Sequence, residues 1–277
     1  GVQFILDVDT LIRGTGADGL IITYARDAHV SGTRCYDLGA HGKPGGSGTQ
    51  VIAGIWVGWF THNSIFEYNE VARTRHFTND GHAFDVDNDC SGTHVFQYNY
   101  THDNQGGVLM VMPSNRGHII YRYNVSVNDR HRGARRQAFG VRGSGNLHIY
   151  NNTFVKFDGA PFTVRDNSRI RLNNNIFYTK VKTAHPGGSK FANNCFFGPQ
   201  TVNDAKKLMA DPLFVDLCPP KDGMEHADNY HLKPDSPCRD AGIEIKDNGG
   251  HDFWKNPLYN GKPDIGAHEV QGEKPAP

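Results

Sequence analysis

The sequence predicts an all-β fold, a right-handed parallel β-helix (solenoid) with a C-terminal capping segment. Three observations predict it: a short phrase ending in Asn recurs at variable spacing, a second strand type stands between its copies, and the composition favours turns over helices. Stacked repeats that each contact only their neighbours are the architecture these features describe.

The phrase reads Ile65-Phe66-Glu67-Tyr68-Asn69, Val95-Phe96-Gln97-Tyr98-Asn99, Ile120-Tyr121-Arg122-Tyr123-Asn124, His148-Ile149-Tyr150-Asn151-Asn152, Leu172-Asn173-Asn174-Asn175 and Phe191-Ala192-Asn193-Asn194. Its Asn residues fall roughly 19 to 30 positions apart. Helical repeats hold their length closely, whereas a β-helix tolerates loops of different size because only its strands stack. At a bend between strands an Asn side chain bonds the next coil and tolerates left-handed backbone, so the repeated Asn has a structural explanation as a ladder. That explanation also accounts for the Asn-x-Ser/Thr matches at Asn99, Asn124 and Asn151 without glycosylation.

The second strand type is expected at Ile55 to Gly58, Ala83 to Asp87, Gly107 to Val111, Ala138 to Arg142 and Pro161 to Arg165. Phe84 and Val86, Val108 and Met110, Phe139 and Val141, and Phe162 and Val164 take matching places, as inward residues of period two would. The outward column then holds Trp56, Asp85 and Asp87, Leu109 and Val111, Gly140 and Arg142, and Thr163 and Arg165. From about Lys206 the pattern changes to Asp211-Pro212-Leu213-Phe214, Tyr230-His231-Leu232, Ser236-Pro237, Asp240-Ala241-Gly242 and Asp264-Ile265-Gly266-Ala267-His268-Glu269. Residues 1–205 are therefore assigned to the coils, 206–271 to a segment capping the open end of the stack, and 272–277 to a tail. Val2 to Asp18 repeats poorly and carries no amphipathic capping helix, so part of an N-terminal cap is expected to be missing.

Gly (32 residues) and short Asn runs disfavour helix interiors. Basic and acidic residues balance at 29 each, so no overall charge draws the chain to nucleic acid or an anionic membrane. No run reaches the roughly 18 apolar residues of a membrane span. The five cysteines form no CxxC pair, which argues against zinc, and Cys218 could pair with Cys238 in an oxidising compartment. Export to an extracellular or periplasmic space is the expected location.

With Phe84 and Val86 inward, Asp85 and Asp87 are expected to face solvent on one side of a strand, roughly 7 Å apart at their backbones. Neighbouring carboxylates push one another's pKa values apart, which supplies a proton donor and an ionised partner at one pH. The loops entering these strands carry Arg75, His76, Asp80 and His82, then His102 and Asp103, then Asp129, Arg130, His131, Arg132, Arg135 and Arg136. Stacking at roughly 4.8 Å is expected to bring Asp103 near Asp85 or Asp87. Two or three carboxylates with adjacent histidines suit glycosidic cleavage by an acid and a base or nucleophile. The plainer reading, turn acids without function, fits Asp89 and Asp129 best. Asp85-x-Asp87-x-Asp89 opens like a calcium loop, but Cys90 stands where Gly is needed and Phe96 where Glu is needed, so an EF-hand is rejected. A structural or catalytic Ca²⁺ held between coils stays open, and no other cofactor is called for. The basic run Arg130 to Arg136 is either a solvated loop or a subsite for an anionic sugar.

At Asn79-Asp80-Gly81-His82-Ala83-Phe84-Asp85-Val86-Asp87 and Tyr98-Asn99-Tyr100-Thr101-His102-Asp103-Asn104-Gln105-Gly106-Gly107 the chain resembles bacterial right-handed parallel β-helix proteins of the pectate-lyase-like superfamily, in particular their glycoside-hydrolase-type members. The Asp-Pro-Leu-Phe, Ser-Pro-Cys-Arg-Asp-Ala-Gly and Asp-Ile-Gly-Ala-His-Glu phrases are similar to that group's usual ending, so the resemblance spans nearly the whole chain. It implies carboxylate catalysis by Asp85, Asp87 and Asp103 with Asp80 as a further candidate: one of Asp85 and Asp87 as nucleophile or base, Asp103 as acid. His82, His102, Trp56, Arg75, Arg130, Arg132 and Arg142 are the expected substrate-binding residues, and no metal ligand is assigned. The expected partner is a polysaccharide or oligosaccharide, with a monomer favoured over a trimer. Two rivals stand beside the hydrolase. A polysaccharide lyase would neutralise a uronate and abstract its α-proton with Arg130, Arg132, Arg142, His82 or His102; a non-catalytic glycan binder would retain sugar without cleaving it.

Overall fold

The structure, a computed structural model, describes residues 3–7, 9–39, 52–75, 80–130, 138–141, 146–157, 163, 169–181, 188–259 and 261–272. Over the first five turns of the coil the strands follow one another in triplets, one triplet per turn. β1 (Gln3–Asp7), β2 (Leu11–Arg13) and β3 (Leu20–Thr23) make the first rung. β4 (Arg26–Ser31), β5 (Arg34–Tyr36) and β6 (Ala53–Gly58) make the second, and β7 (His62–Glu67), β8 (Glu70–Ala72) and β9 (His82–Val86) the third. β10 (Ser91–Gln97), β11 (Tyr100–His102) and β12 (Gly107–Val111) follow, then β13 (His118–Arg122), β14 (Val125–Val127) and β15 (Phe139–Val141). β16 (Asn146–Tyr150), β17 (Thr153–Lys156), β18 (Ile170–Asn173), β19 (Ile176–Thr179), β20 (Lys190–Ala192), β21 (Cys195–Phe197) and β22 (Leu208–Met209) continue the stack.

Every first strand joins one sheet, every second strand another and every third strand a third, and all ladders between them are parallel. This is a parallel β-helix solenoid. The first poorly repeating stretch belongs to it: β1 pairs with β4 and β2 with β5, so the coil is already running there.

The bend from first to second sheet explains the Asn phrase. In each rung the residue before the ladder Asn is left-handed: Tyr68 (φ 53°), Tyr98 (56°), Tyr123 (48°), Asn151 (51°), Asn174 (53°) and Asn193 (63°). That turn aims the next side chain into the coil. Asn99 donates through Nδ2 to Phe66 O at 2.9 Å and to Asn124 Oδ1 at 3.0 Å, while its N–H donates to the same Oδ1 at 2.9 Å. The same bonds link Asn69 to Asn99, Asn124 to Asn152, Asn152 to Asn175 and Asn175 to Asn194. Asp204 ends the column by accepting from both N and Nδ2 of Asn194. All these Asn side chains are buried, and a buried amide is tolerated only because its donors and acceptor are filled. Beside the column run stacked rings: Phe66 on Phe96 at 4.8 Å, Phe154 on Phe177 at 5.4 Å and Phe177 on Phe196 at 5.1 Å.

The C-terminal segment takes a different path from the one expected. It does not stop over the open rung; it lies along the outer face of the second sheet. There Tyr100, Val125, Val127, Val155, Ile176 and Tyr178 form one apolar cluster with Phe214, Ala227, Tyr230, Leu232, Phe253, Ile265 and Ala267. The reason is in the strands: from Tyr100 onwards the outer face of the second sheet carries mostly apolar side chains, Val125, Val127, Val155, Ile176 and Tyr178 among them, and needs cover. The segment reaches back to the early rungs, where Asp222 takes 2.8 Å and 2.5 Å bonds from Arg13 and Arg73. The Cys218–Cys238 pairing is also corrected. Both thiols are free, and Cys238 lies beside Cys195 of β21 instead.

Replacing Asn124 by Ala removes the acceptor of the Asn99 N–H and amide and the amide donor to Phe96 O. The expected outcome in urea unfolding is a loss of about 3 kcal/mol with an unchanged m-value. A loss below about 1 kcal/mol would mean the column is ornamental.

Candidate active site

The third sheet carries the acids. Its register aligns Ile21, Trp56, Asp85, Met110 and Gly140 in one column, while Ile55, Phe84, Leu109 and Phe139 align in the next. The second column belongs to the buried core, so the first faces outward. Met110, not Leu109 or Val111, is therefore the outward neighbour of Asp85. The N–H groups of Val108 and Leu109 both bond Ala138 O, at 2.8 and 3.3 Å, and this local irregularity shifts the alternation by one residue. His82 shares the outer face, because a Cβ on Gly140 would meet both Met110 Sδ at 2.9 Å and His82 Nε2 at 3.3 Å.

The acids are less exposed than their alternation suggests. Asp85 is 6% and Asp80 7% exposed, and Asp87 at the end of the strand is half-buried. Gly58 lets Trp56 fold back beside Asp87: a Cβ there would stand 2.6 Å from the indole and 3.1 Å from Asp87 Cβ. The Trp56 indole N–H lies near Asp18 and favours its charged form, and Asp18 Oδ1 accepts the Ala53 N–H at 2.7 Å. Burial raises the Asp18 pKa against the pull of these two N–H groups, and the Asp87 charge pushes the same way as burial. Asp18 is the member of this group that sequence reasoning missed. Its signal was present, since Asp18-Gly19 opens β3 as Asp80-Gly81 opens β9.

His102 and Asp103 do not join this cluster. Asp103 stands at the bend entering β12, seven residues before Met110, the partner of Asp85. Its side chain lines a groove with Asp37, Arg73, Arg75, Gln105, Asn128 and Arg130, so the expected Arg75 and Arg130 sit with it. Asp80 lies at the same end of its strand, level with Gln105 through the 2.7 Å bond from Gly106 N to Gly81 O. His102 belongs to the outer face of the second sheet. Its ring is buried among Asp103 (3.1 Å), Glu70 (3.4 Å) and Asp222 (3.6 Å). It pins the C-terminal segment, which explains its burial better than a sugar contact does. Asp129 is a buried ladder acid that accepts from Thr101, Asn104 and Ser126, with burial lifting its pKa to about 6 against those bonds. The expected residues His76, His131, Arg132, Arg135, Arg136, Arg142 and Arg165, and the strand around Thr163 apart from Thr163 itself, lie outside the described residues.

Among the described residues one trio offers metal-type ligand atoms within 4.8 Å of each other, Glu70, His102 and Asp222. Its atoms are already engaged. Tyr36 Oη and Gly223 N donate to Glu70 at 2.6 and 2.8 Å, and Arg73 sits on Asp222. The set fits an ion-pair network better than a metal centre.

No protein-family model matches the chain. A lacto-N-biosidase of Bifidobacterium longum subsp. longum, a glycoside hydrolase, is 30% identical over 301 aligned positions, which cover 93% of this chain and 18% of the relative. The chain is thus a distant homologue of a glycoside hydrolase and spans under a fifth of that relative's length.

Burial disfavours the charged form of His102, but Asp103 and Glu70 outweigh it and lift its pKa to about 9. The folded value lies above the free value of about 6.5, so the added stability is whole below that pH and is lost as pH rises towards 9. Urea unfolding is expected to show a loss on the order of 3 kcal/mol at most between pH 6.5 and 9, absent in His102→Gln. A flat profile in the native chain would contradict the ion-pair assignment.

Proposed function

We propose that the chain is a glycoside hydrolase acting on an oligosaccharide, with its reaction centre on the outer face of the third sheet. The observation that carries the proposal is the convergence of carboxyl groups and an indole there. Asp85 pairs with Trp56 across the ladder, and Asp87 lies beside the same indole, whose N–H lies near Asp18. Paired acids supply the donor and the base or nucleophile of glycosidic cleavage, and an aromatic ring offers a surface for a sugar. Kinship with a lacto-N-biosidase supports the reaction class and makes lacto-N-biose the first sugar to test.

Asp87, the more accessible carboxylate, is assigned as base or nucleophile. The acid is drawn from Asp85 and Asp80. Asp103 drops out of the acid role because its carboxylate is taken up by His102 at 3.1 Å and Asn128 at 3.2 Å. Asp18 acts through Trp56 by fixing the ring's orientation, and is a positioning residue.

The test is a set of Asn variants assayed on a lacto-N-bioside with a poor leaving group and one with an activated aryl leaving group. Asp87→Asn is expected to lose about 10²- to 10⁴-fold in kcat on both. The acid variant is expected to lose a similar factor on the first and recover on the second. Asp103→Asn is expected to stay within about threefold, since general acid–base loss is far larger. Full activity in Asp85→Asn, Asp80→Asn and Asp87→Asn would overturn the assignment. An unsaturated product absorbing in the ultraviolet would replace hydrolysis by elimination.

A further inference from the structure

The corner that follows the third sheet carries side chains the reaction does not explain. Among the described residues the exposed large aromatics are Tyr24, Trp59 and Phe60, at 70%, 44% and 64% exposure, and all three stand at this one corner. The rungs hold them together: Tyr24 N donates to Trp59 O at 2.9 Å and Trp59 N to Asn88 O at 2.9 Å. The Tyr24 and Phe60 rings lie 5.6 Å apart, and Trp59 meets Trp56 edge-on at 5.2 Å.

The backbone makes these residues expensive. Tyr24, Trp59 and Phe60 have φ of 54°, 39° and 63°, left-handed values that suit Gly or Asn and strain bulky residues. One rung on, the same corner uses Asn88 and Asp89, with Asp89 at φ 61°. Elsewhere the coil tolerates Tyr98 and Tyr123 in this conformation because both are packed beneath the C-terminal segment. At Tyr24 and Phe60 no comparable burial offsets the strain. Exposed apolar rings held in a strained turn mark a place where binding, not folding, selects the residue.

The ligand follows from what adjoins the rings. Ile21 and Trp56 continue the outward column to Asp85, and Asp87 lies against Gly58, one residue before Trp59. The aromatic surface is therefore continuous with the carboxylates. We propose that Tyr24, Trp59 and Phe60 form a stacking subsite that receives the apolar C–H face of a neutral pyranose ring, a sugar unit of the same oligosaccharide beyond the cleaved bond. Flat rings at this spacing supply apolar area and electron-rich faces to axial C–H groups, while Asn88 at the rim can meet hydroxyls. The proposal uses the glycoside-hydrolase reading for its choice of ligand, but binding alone tests it.

The experiment follows the Trp59 indole NMR signal, assigned with Trp59→Phe, as lacto-N-biose and a neutral tetrasaccharide containing it are titrated into the native chain and into Tyr24→Ala/Phe60→Asn. A saturable shift in the native chain is expected, with tetrasaccharide affinity falling at least fivefold in the variant. The thermal midpoint is expected to stay or rise, because Asn relieves the strain at position 60. No indole shift with either sugar, or equal affinity in the variant, overturns the subsite. So does a fall in affinity that tracks a fall in the midpoint, or a variant that alters only self-association. Failure of the hydrolase reading shows separately: sugar then shifts the indole without any glycan being cleaved.

Discussion

Each buried Asn of the internal column accepts from the backbone and amide of one rung while donating to the next, and this shared amide fixes the register on which everything else rests. Parallel strands two to seven residues long have little intrinsic preference for one alignment, and a slip of one residue would exchange inward and outward faces. The Asn side chain penalises that slip, because a displaced amide would leave buried donors unpaired. The register in the third sheet then follows, with Phe84 inside and Asp85 outside. A carboxyl group is thereby placed on the outer face of a rigid sheet, where its position is set by the neighbouring rungs and not by a loop.

The two outer faces have been put to different uses. The second sheet is largely apolar outside in its later rungs and is covered by the chain's own C-terminal segment, tied at the early rungs by Arg73, Asp222, Glu70 and His102. The third sheet keeps acids, an indole and a methionine on its outer face. Gly58 and Gly140 hold space open there, the first for the Trp56 ring beside Asp87 and the second for the Met110 and His82 side chains. A covered face gives stability; a face bearing functional groups gives chemistry.

Much of this was legible in the residues. The Asn phrase announced the ladder, and alternation placed Phe84 and Val86 inside. The sheet to which His102 and Asp103 belong was not legible, because both adjoin Asn104, a second buried Asn whose bend separates the two sheets. Gly107-Val108-Leu109-Met110-Val111 is apolar at nearly every position, so its inward set could not be read from alternation. The path of the C-terminal segment depends on contacts between residues 125 to 209 positions apart, such as Arg122 with Asp247 and Arg13 with Asp222, which no local pattern records. Asp18 was missed because the first rung lacks the Asn phrase, although its Asp-Gly pair repeats at Asp80-Gly81.

The most direct measurement is a crystal structure of Asp87→Asn soaked with a neutral oligosaccharide carrying lacto-N-biose. The account predicts a sugar ring against Trp56, with the glycosidic oxygen within hydrogen-bond reach of the acid and the position 87 side chain facing the anomeric carbon. Sugar bound instead in the groove beside Asp103, or on the outer face of the first sheet, would contradict it.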